Sequence, residues 1–161
     1  MHTLVRRFAV LAVLMFWQGG FTFYAAIVVP RGQEILGPSQ QADVTRQVTN
    51  YLNVSGGVGL VILAWELLAQ PRRTKVSGRI SWGAWAGMLL TLLSMVWLHP
   101  RLEKLMDAER FDHDTFHPSH RIYLWLSTLQ WFFCLVYMTG ILRTWPDVAG
   151  LESKEMLEKR A

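Results

Sequence analysis

Residues 122–142 read IYLWLSTLQWFFCLVYMTGIL, a run that contains no acidic or basic side chain and that decides the fold. A helix that crosses the hydrocarbon core of a bilayer needs about 20 mostly apolar residues, because its backbone polar groups must be satisfied within the helix. Three other stretches, at 8–29, 51–69 and 81–98, have a similar length and character. The sequence therefore predicts an all-α integral membrane protein that folds as an antiparallel four-helix bundle.

The composition supports a membrane protein and excludes several other classes. Of the 161 residues, 52% are hydrophobic and 17% are charged, whereas soluble domains average about 25% charged residues. The net charge of +4 arises from residues that flank the apolar runs, and no basic stripe with interleaved aromatic residues indicates nucleic-acid binding. The single cysteine, Cys134, excludes an internal disulfide framework and a cysteine zinc cluster.

The distribution of basic residues predicts the orientation of the bundle. Ten of the 16 Lys and Arg residues lie in the N-terminal segment, in the 70–80 loop and after the fourth span. Because basic loops stay on the cytoplasmic side, we expect both termini inside and the 30–50 and 99–121 loops outside. The chain then consists of a four-span domain, 1–145, and a charged cytoplasmic tail, 146–161, in the inner membrane of a bacterium.

Both outer loops contain apolar residues at helical spacing. The first pattern, at 44–52, predicts that the second helix begins well before its membrane-spanning part. The second pattern predicts either a short interfacial helix after Pro100 or an extension of the third span. The residues are Val44, Val48, Tyr51 and Leu52 in the first pattern, and Leu102, Leu105 and Met106 in the second.

The densest polar segment is 111–120, FDHDTFHPSH. Neutral imidazole binds zinc, copper, nickel and iron, so the outer histidines are candidate ligands of a transition metal, or axial ligands of a haem b. These candidates are His99, His113, His117 and His120. The alternative that we favour is an interfacial loop whose histidines cap helices and pair with acids. In that loop Pro118 interrupts the helix, and Ser119 is the N-cap of the fourth helix.

Polar side chains inside the spans are candidates for a cavity that binds a small ligand or conducts protons. Gln18 and Gln130 lie near the middle of their spans, with Thr22 and Ser127 close to them in sequence. An amide in hydrocarbon needs a hydrogen-bond partner, so we expect the two glutamines to bond to each other or to nearby hydroxyls. Interhelical bonding without a ligand is the alternative that we favour.

Glu66 is the only acidic residue within a predicted span, and a carboxylate in a membrane is a candidate functional residue. One interpretation places it in the polar cavity. It lies about one helical turn from the cytoplasmic end, however, close in sequence to Arg72 and Arg73. We therefore favour an ion pair at the basic interface, which the side chain reaches by snorkelling.

Small residues predict close helix packing or a dimer face. Gly83 and Gly87 form a G-x-x-x-G pattern in the third span, and Gly56, Gly57 and Gly59 cluster in the second. Glycines at such spacing allow two helix backbones to approach closely. They argue for a tight bundle rather than for a binding site.

The order of these motifs resembles the transmembrane protein 205-like family (domain of unknown function 4149). The resemblance rests on FWQGG at 16–20, VVP at 28–30, a glycine-bearing second span, a third span that ends in His-Pro, and FHPSH at 116–120. It covers most of the chain and implies a four-helix membrane protein without an assigned reaction. The histidine-rich stretch departs from the family pattern. The chain also resembles, more weakly, small four-span proteins around anthrone-oxygenase-like enzymes, which implies an enzyme as an alternative.

Together these features favour a non-enzymatic membrane protein that binds a small ligand or a partner at its outer face, or that is an accessory subunit of a membrane complex. Two alternatives stay open: a metal- or haem-binding oxidoreductase module that uses the outer histidines, and a small transporter that acts as an oligomer. The expected partners are the lipid bilayer and other membrane subunits or a second copy of the chain. No cofactor is the favoured expectation.

Overall fold

The structure is a computed structural model that describes residues 2–69, 75–107 and 113–158, with side chains described at 3–69, 78–105 and 118–143. The first helix, α1, consists of consecutive segments. Its α-helical segments are His2–Leu14, Gly20–Phe23 and Val29–Leu36, and its wider π-helical segments are Met15–Gly19 and Tyr24–Val28. The other helices are α2 at Pro38–Leu68, α3 at Lys75–Asp107 and α4 at His113–Glu158.

The four helices pack side by side in an antiparallel bundle. Gly37 turns the chain between α1 and α2 with a φ of 84°, a left-handed conformation that glycine adopts without strain. The most extensive packing is between α3 and α4, and α2 packs against both α1 and α3. Each helix contains a segment long and apolar enough to cross a bilayer, at Thr3–Leu36, Pro38–Leu68, Gly78–Leu105 and Pro118–Arg143. The predicted all-α four-helix bundle is confirmed, and the chain is a multi-pass membrane protein.

The helices extend beyond the predicted spans. α1 continues through Pro30 to Leu36, α2 begins at Pro38, and α3 continues through Pro100 to Asp107. Hydropathy marks only the part of a helix that lies in hydrocarbon, whereas the helix itself continues into the hydrated headgroup region. The early start of the second helix is confirmed, and residues 99–107 form the extension of the third span.

The start of α4 differs from the sequence-based expectation. The helix begins at His113 and continues through Pro118, so Pro118 does not interrupt it and Ser119 is not its N-cap. A proline inside a helix removes one hydrogen bond, here the one to the carbonyl of Asp114. That carbonyl lies near the end of the bundle, where other polar groups can satisfy it, so the helix tolerates the proline.

The contact between α1 and α2 is built on one tryptophan and two glycines. Trp17 of α1 is 4% exposed and lies flat over Gly56 and Gly59 of α2. A Cβ atom at Gly56 would lie 2.8 Å from the indole ring, and one at Gly59 would lie 3.1 Å from it. The glycines therefore leave the space that the Trp17 ring fills between the two helices.

The G-x-x-x-G pattern of α3 has only one packed glycine. Gly87 faces the ring of Phe133 from α4, which would lie 2.7 Å from a Cβ atom at that position. Gly83 has open space beside it, as does Gly57 of α2. Gly87 thus serves packing within the bundle, while Gly83 lies on its outer surface.

Polar bonds that cross between helices complete the core. Trp85 of α3 donates its indole N–H to the carbonyl of Leu60, at 2.9 Å, and the Tyr137 hydroxyl of α4 donates to the carbonyl of Leu63, at 2.7 Å. Each bond satisfies a side-chain donor that has no water to bind in the hydrocarbon region. The outer surface of the bundle is apolar, as lipid contact requires, with exposed residues that include Phe8, Phe16, Val61, Leu90 and Phe132.

Candidate functional site

Two connected cavities lie between the helices in the half of the bundle opposite the termini, which we call the distal half. The outer cavity has a volume of about 640 Å³, and the inner cavity, which reaches towards the bundle centre, has about 240 Å³. All four helices line both cavities. The residues shared by the two linings are Val29, Thr45, Thr49, His120 and Tyr123.

A polar stripe on α2 forms one wall of both cavities. Gln41, Thr45, Thr49 and Asn53 are each four residues apart, so they lie on one face of the helix. Gln41 lines the outer cavity, Asn53 lines the inner one, and the two threonines line both. The stripe therefore carries hydrogen-bonding groups from the distal end of the bundle down to the level of the inner cavity.

A hydrogen-bond network fixes the upper part of this wall to α1. The Thr45 hydroxyl donates to the carbonyl of Gln41, at 2.8 Å, and accepts a hydrogen bond from the Tyr24 hydroxyl, at 3.1 Å. The Gln41 amide, only 2% exposed, donates towards Tyr24 and Thr45 at 3.3 Å from each oxygen. The Gln41 side chain also contacts Gly32 of α1, in the space that a Cβ atom would occupy. These polar groups are preorganised, because they bond to one another without a ligand.

Charged and titratable groups also line the outer cavity. Arg46 of α2 and Glu103 of α3 form an ion pair at 3.7 Å, and Nδ1 of His99 lies 3.6 Å from the same carboxylate oxygen of Glu103. The His99 ring is also 6.5 Å from the ring of Tyr123 on α4. The side chain of Asn53 forms a hydrogen bond with Tyr123 and so ties α2 to α4 beneath this cluster.

A hydrogen-bond donor without an acceptor lies in the wall of the inner cavity. Gln130 of α4 is 5% exposed, and its Nε2 atom is buried without a hydrogen-bond partner in the part of the chain that the structure describes. The Ser127 hydroxyl, one turn before it, donates to the carbonyl of Tyr123 at 2.9 Å. An unpartnered buried amide costs about 1–3 kcal/mol, so a ligand that offers it an acceptor gains that energy.

The π-helical segments of α1 coincide with this cavity. Trp17 and Gln18 lie in the first π segment, Tyr24 and Ala25 lie in the second, and all four residues line the inner cavity. A π turn widens the helix and redirects the side chains on it, and such turns are frequent at functional sites. The local geometry of α1 is thus irregular at the level of the inner cavity.

The structure brings together three of the five residues predicted for a polar cavity. Gln18, Ser127 and Gln130 all line the inner cavity. The bond expected for the Gln130 amide nitrogen, to Gln18 or to a nearby hydroxyl, is not formed. Thr22 is exposed, and its hydroxyl donates to the carbonyl of Gln18 instead of facing the cavity.

Glu66 lies elsewhere, in the half of the bundle that contains the termini. Its side chain is fully buried and pairs with Nε of Arg6 from α1 at 2.5 Å. Glu66 thus forms an ion pair inside the bundle, with Arg6, and its carboxylate does not reach the interface by snorkelling. The expected partners Arg72 and Arg73 lie outside the described residues. The pair joins α1 to α2 at the end opposite the cavities.

Of the four candidate metal ligands, the side chains of two are described. His99 and His120 both line the outer cavity. His113 and His117 belong to α4, but their side chains lie outside the described residues. Among the described residues, no group of three or more His, Cys, Asp or Glu side chains is placed to hold a metal ion. The metal and haem hypotheses stay predictions.

No protein-family model, curated protein or solved structure matches this chain.

Several residues that line the cavities are marked in the sequence by a polar periodicity, which a search for apolar periodicity does not reveal. The polar stripe of α2 recurs every fourth residue, as clearly as the apolar residues beside it. In a membrane the helix face that contacts lipid is apolar, so a polar face predicts the interior or a cavity. Tyr24, Arg46 and Glu103 have no comparable signal: Tyr24 is a single polar residue among apolar ones, and Arg46 and Glu103 lie among several polar residues outside the predicted spans.

Proposed function

We propose that the protein is a non-enzymatic, small-ligand-binding protein of a bacterial cytoplasmic membrane, with its termini in the cytoplasm and its distal half facing outward. The ligand occupies the inner cavity and enters through the distal half. Membership of the transmembrane protein 205-like family, and a role as accessory subunit of a larger membrane complex, are compatible with this proposal.

The observation that carries the proposal is the buried amide nitrogen of Gln130, which has no hydrogen-bond partner among the described residues, in the wall of a cavity lined by all four helices. Groups that serve only as interhelical bonds are satisfied by one another, as Tyr24, Gln41 and Thr45 are. Ligand sites are concave and largely apolar, with a few placed polar groups that fix orientation. The inner cavity has this composition, with Trp17, Phe21 and Leu92 beside Gln130 and Ser127.

Filling the cavity tests the proposal. Thr49 is half-buried and lines both cavities, so an indole in Thr49→Trp occupies the space that the ligand needs. We expect wild-type protein, extracted gently from its own membranes, to show a bound small molecule by native mass spectrometry. Thr49→Trp is expected to lose at least nine-tenths of that bound fraction.

The matched control is Val54→Trp, which adds the same ring on the same helix. Val54 is 67% exposed on the lipid side of α2, so this variant leaves the cavity open and keeps the ligand. Helix content and detergent melting curves establish that both variants fold. Equal occupancy in Thr49→Trp and wild type, or no bound molecule in any protein, contradicts the proposal.

A further inference from the structure

We propose that the ligand of the inner cavity is a small lipophilic carbonyl compound that enters from the bilayer between α1 and α4, with its carbonyl oxygen bound by the Gln130 amide. This inference rests on the proposed function and names the chemical class of the ligand and its route.

The walls of the inner cavity select for an apolar molecule. Trp17 and Phe21 of α1, Leu92 and Met95 of α3 and Leu124 of α4 present rings and aliphatic groups to it. Burial of apolar surface is worth about 25 cal/mol per Å², so a hydrophobic body binds here in preference to a hydrated one. No acidic or basic residue lines the inner cavity among the described residues, His120 aside, so a charged ligand has no counter-ion there.

One hydrogen-bonding group in the wall of the inner cavity, the amide nitrogen of Gln130, calls for an acceptor on the ligand. The Ser127 hydroxyl already donates to the carbonyl of Tyr123, and Asn53 bonds to Tyr123. Nε2 of Gln130 has donor capacity left. The terminal torsion of glutamine is soft, so this nitrogen is able to turn from the wall towards a bound ligand. A carbonyl oxygen accepts such a bond, whereas a ligand that is only a donor leaves the amide nitrogen unpaired.

The same residues indicate the route of entry. Ala25 of α1 and Leu124 of α4 line the inner cavity and are also exposed on the lipid-facing surface of the bundle. α4 packs most extensively against α3, and α1 packs mainly against α2, so the cavity opens between α1 and α4. A molecule dissolved in the bilayer reaches the Gln130 amide through this opening without passing the ion pair of Arg46 and Glu103.

A pair of probes that differ only in the carbonyl tests the inference. Benzophenone is a lipophilic diaryl ketone, and its photoexcited carbonyl also inserts into nearby C–H bonds; diphenylmethane has the same two rings without the oxygen. The protein is placed in nanodiscs of ether-linked phosphatidylcholine, so that the probe supplies the only ester or ketone carbonyl outside the protein. The measurements are saturation of photolabelling, the labelled positions, and competition by diphenylmethane.

We expect saturable labelling of the inner cavity, for example at the buried residues Leu92 or Met95. We expect diphenylmethane to bind about three- to tenfold more weakly, the usual worth of one hydrogen bond. Gln130→Met keeps the side-chain length and removes the donor. In this variant we expect the two probes to bind with equal affinity, while the affinity for diphenylmethane changes less than twofold from wild type. Thr128→Val, a substitution on the exposed face of α4, keeps the wild-type difference.

Equal affinity for the two probes in wild type overturns the inference, as does saturable labelling confined to the lipid-facing surface. These results leave the proposed function standing if Thr49→Trp still displaces the native molecule, so the two proposals fail separately. If Gln130→Met does not fold, the probe preference and label positions in wild type alone decide.

Discussion

At the residue scale, the strongest contrast is between two carboxylates that pair with arginine in different surroundings. The Glu66 side chain is 0% exposed in its pair with Arg6, whereas the Glu34 side chain is 62% exposed in its pair with Arg31. Exposed pairs contribute about 0–1 kcal/mol, because water and ions screen them. Removing one partner of a buried pair leaves an uncompensated charge in a medium of low polarity, which is far more costly.

We therefore predict that Glu66→Gln lowers the free energy of unfolding by about 3–5 kcal/mol, while Glu34→Gln changes it by less than about 1 kcal/mol. The two variants make the same chemical change, so the difference between them isolates burial. Reversible unfolding in mixed micelles, followed by circular dichroism, measures both. A similar loss of stability in the two variants would contradict the burial argument for the Arg6–Glu66 pair.

At the element scale, the contact of α1 with α2 depends on adjacent glycines with opposite surroundings. Gly56 lies under the Trp17 ring, whereas Gly57 has open space beside it. We predict that Gly56→Ala lowers stability by about 1–3 kcal/mol, because the ring must move away from the added methyl group. Gly57→Ala is expected to be neutral or to stabilise by up to about 1 kcal/mol, since alanine favours the helix. The free energies of unfolding of the two variants in mixed micelles test this prediction. A loss of stability in Gly57→Ala would contradict the open space beside Gly57.

The elements also show how far the sequence predicts the structure. The existence and order of four helices follow from the apolar runs, because only a helix satisfies its own backbone in lipid. The residues at which each helix ends, and the face that each helix turns towards the interior of the bundle, are harder to predict. Val44 and Tyr51 suggest a buried stripe on α2, yet they are 39% and 77% exposed, because their apolar side chains face lipid. In this distal part of α2 the interior face is the polar stripe, so the apolar residues beside it mark the surface that contacts lipid.

The candidate site is predictable only in part. Gln18, Ser127 and Gln130 are identifiable from sequence because a polar residue in mid-span is costly in hydrocarbon. That they line one cavity depends on the rotation of α1 and α4 about their axes, and in α1 the π-helical segments change this rotation locally. The ion-pair partner of Glu66 is likewise not predictable from the sequence. Arg6 lies 60 residues away, and the packing of α1 against α2 brings the two side chains together.

At the scale of the whole molecule, aromatic and charged residues locate the membrane boundary relative to the cavities. The Arg101 guanidinium lies 3.5 Å from the centre of the Trp97 ring, a cation–π contact. Tryptophan and arginine are typical of the headgroup level, so His99 and Glu103, on the same turns of α3, lie at that level too. The outer cavity therefore faces the interface, and the inner cavity lies within the hydrocarbon region. Which compartment the outer cavity faces depends on the orientation of the whole bundle.

We predict that the distal half faces away from the cytoplasm, because the excess of Lys and Arg lies at the other end. The chain offers a clean measurement, since its only cysteine, Cys134, is buried within α4 and is inaccessible to a water-soluble thiol reagent. In intact cells, an impermeant maleimide should modify Gln40→Cys, an exposed position on the first turn of α2. It should leave wild type unmodified, and it should reach a cysteine added after Ala161 only once the cells are permeabilised.

The reverse labelling pattern would mean that the bundle has the opposite orientation, with the ion pair of Arg46 and Glu103 facing the cytoplasm. The lateral opening between α1 and α4 would then lie in the inner leaflet, and the ligand would have to come from that leaflet.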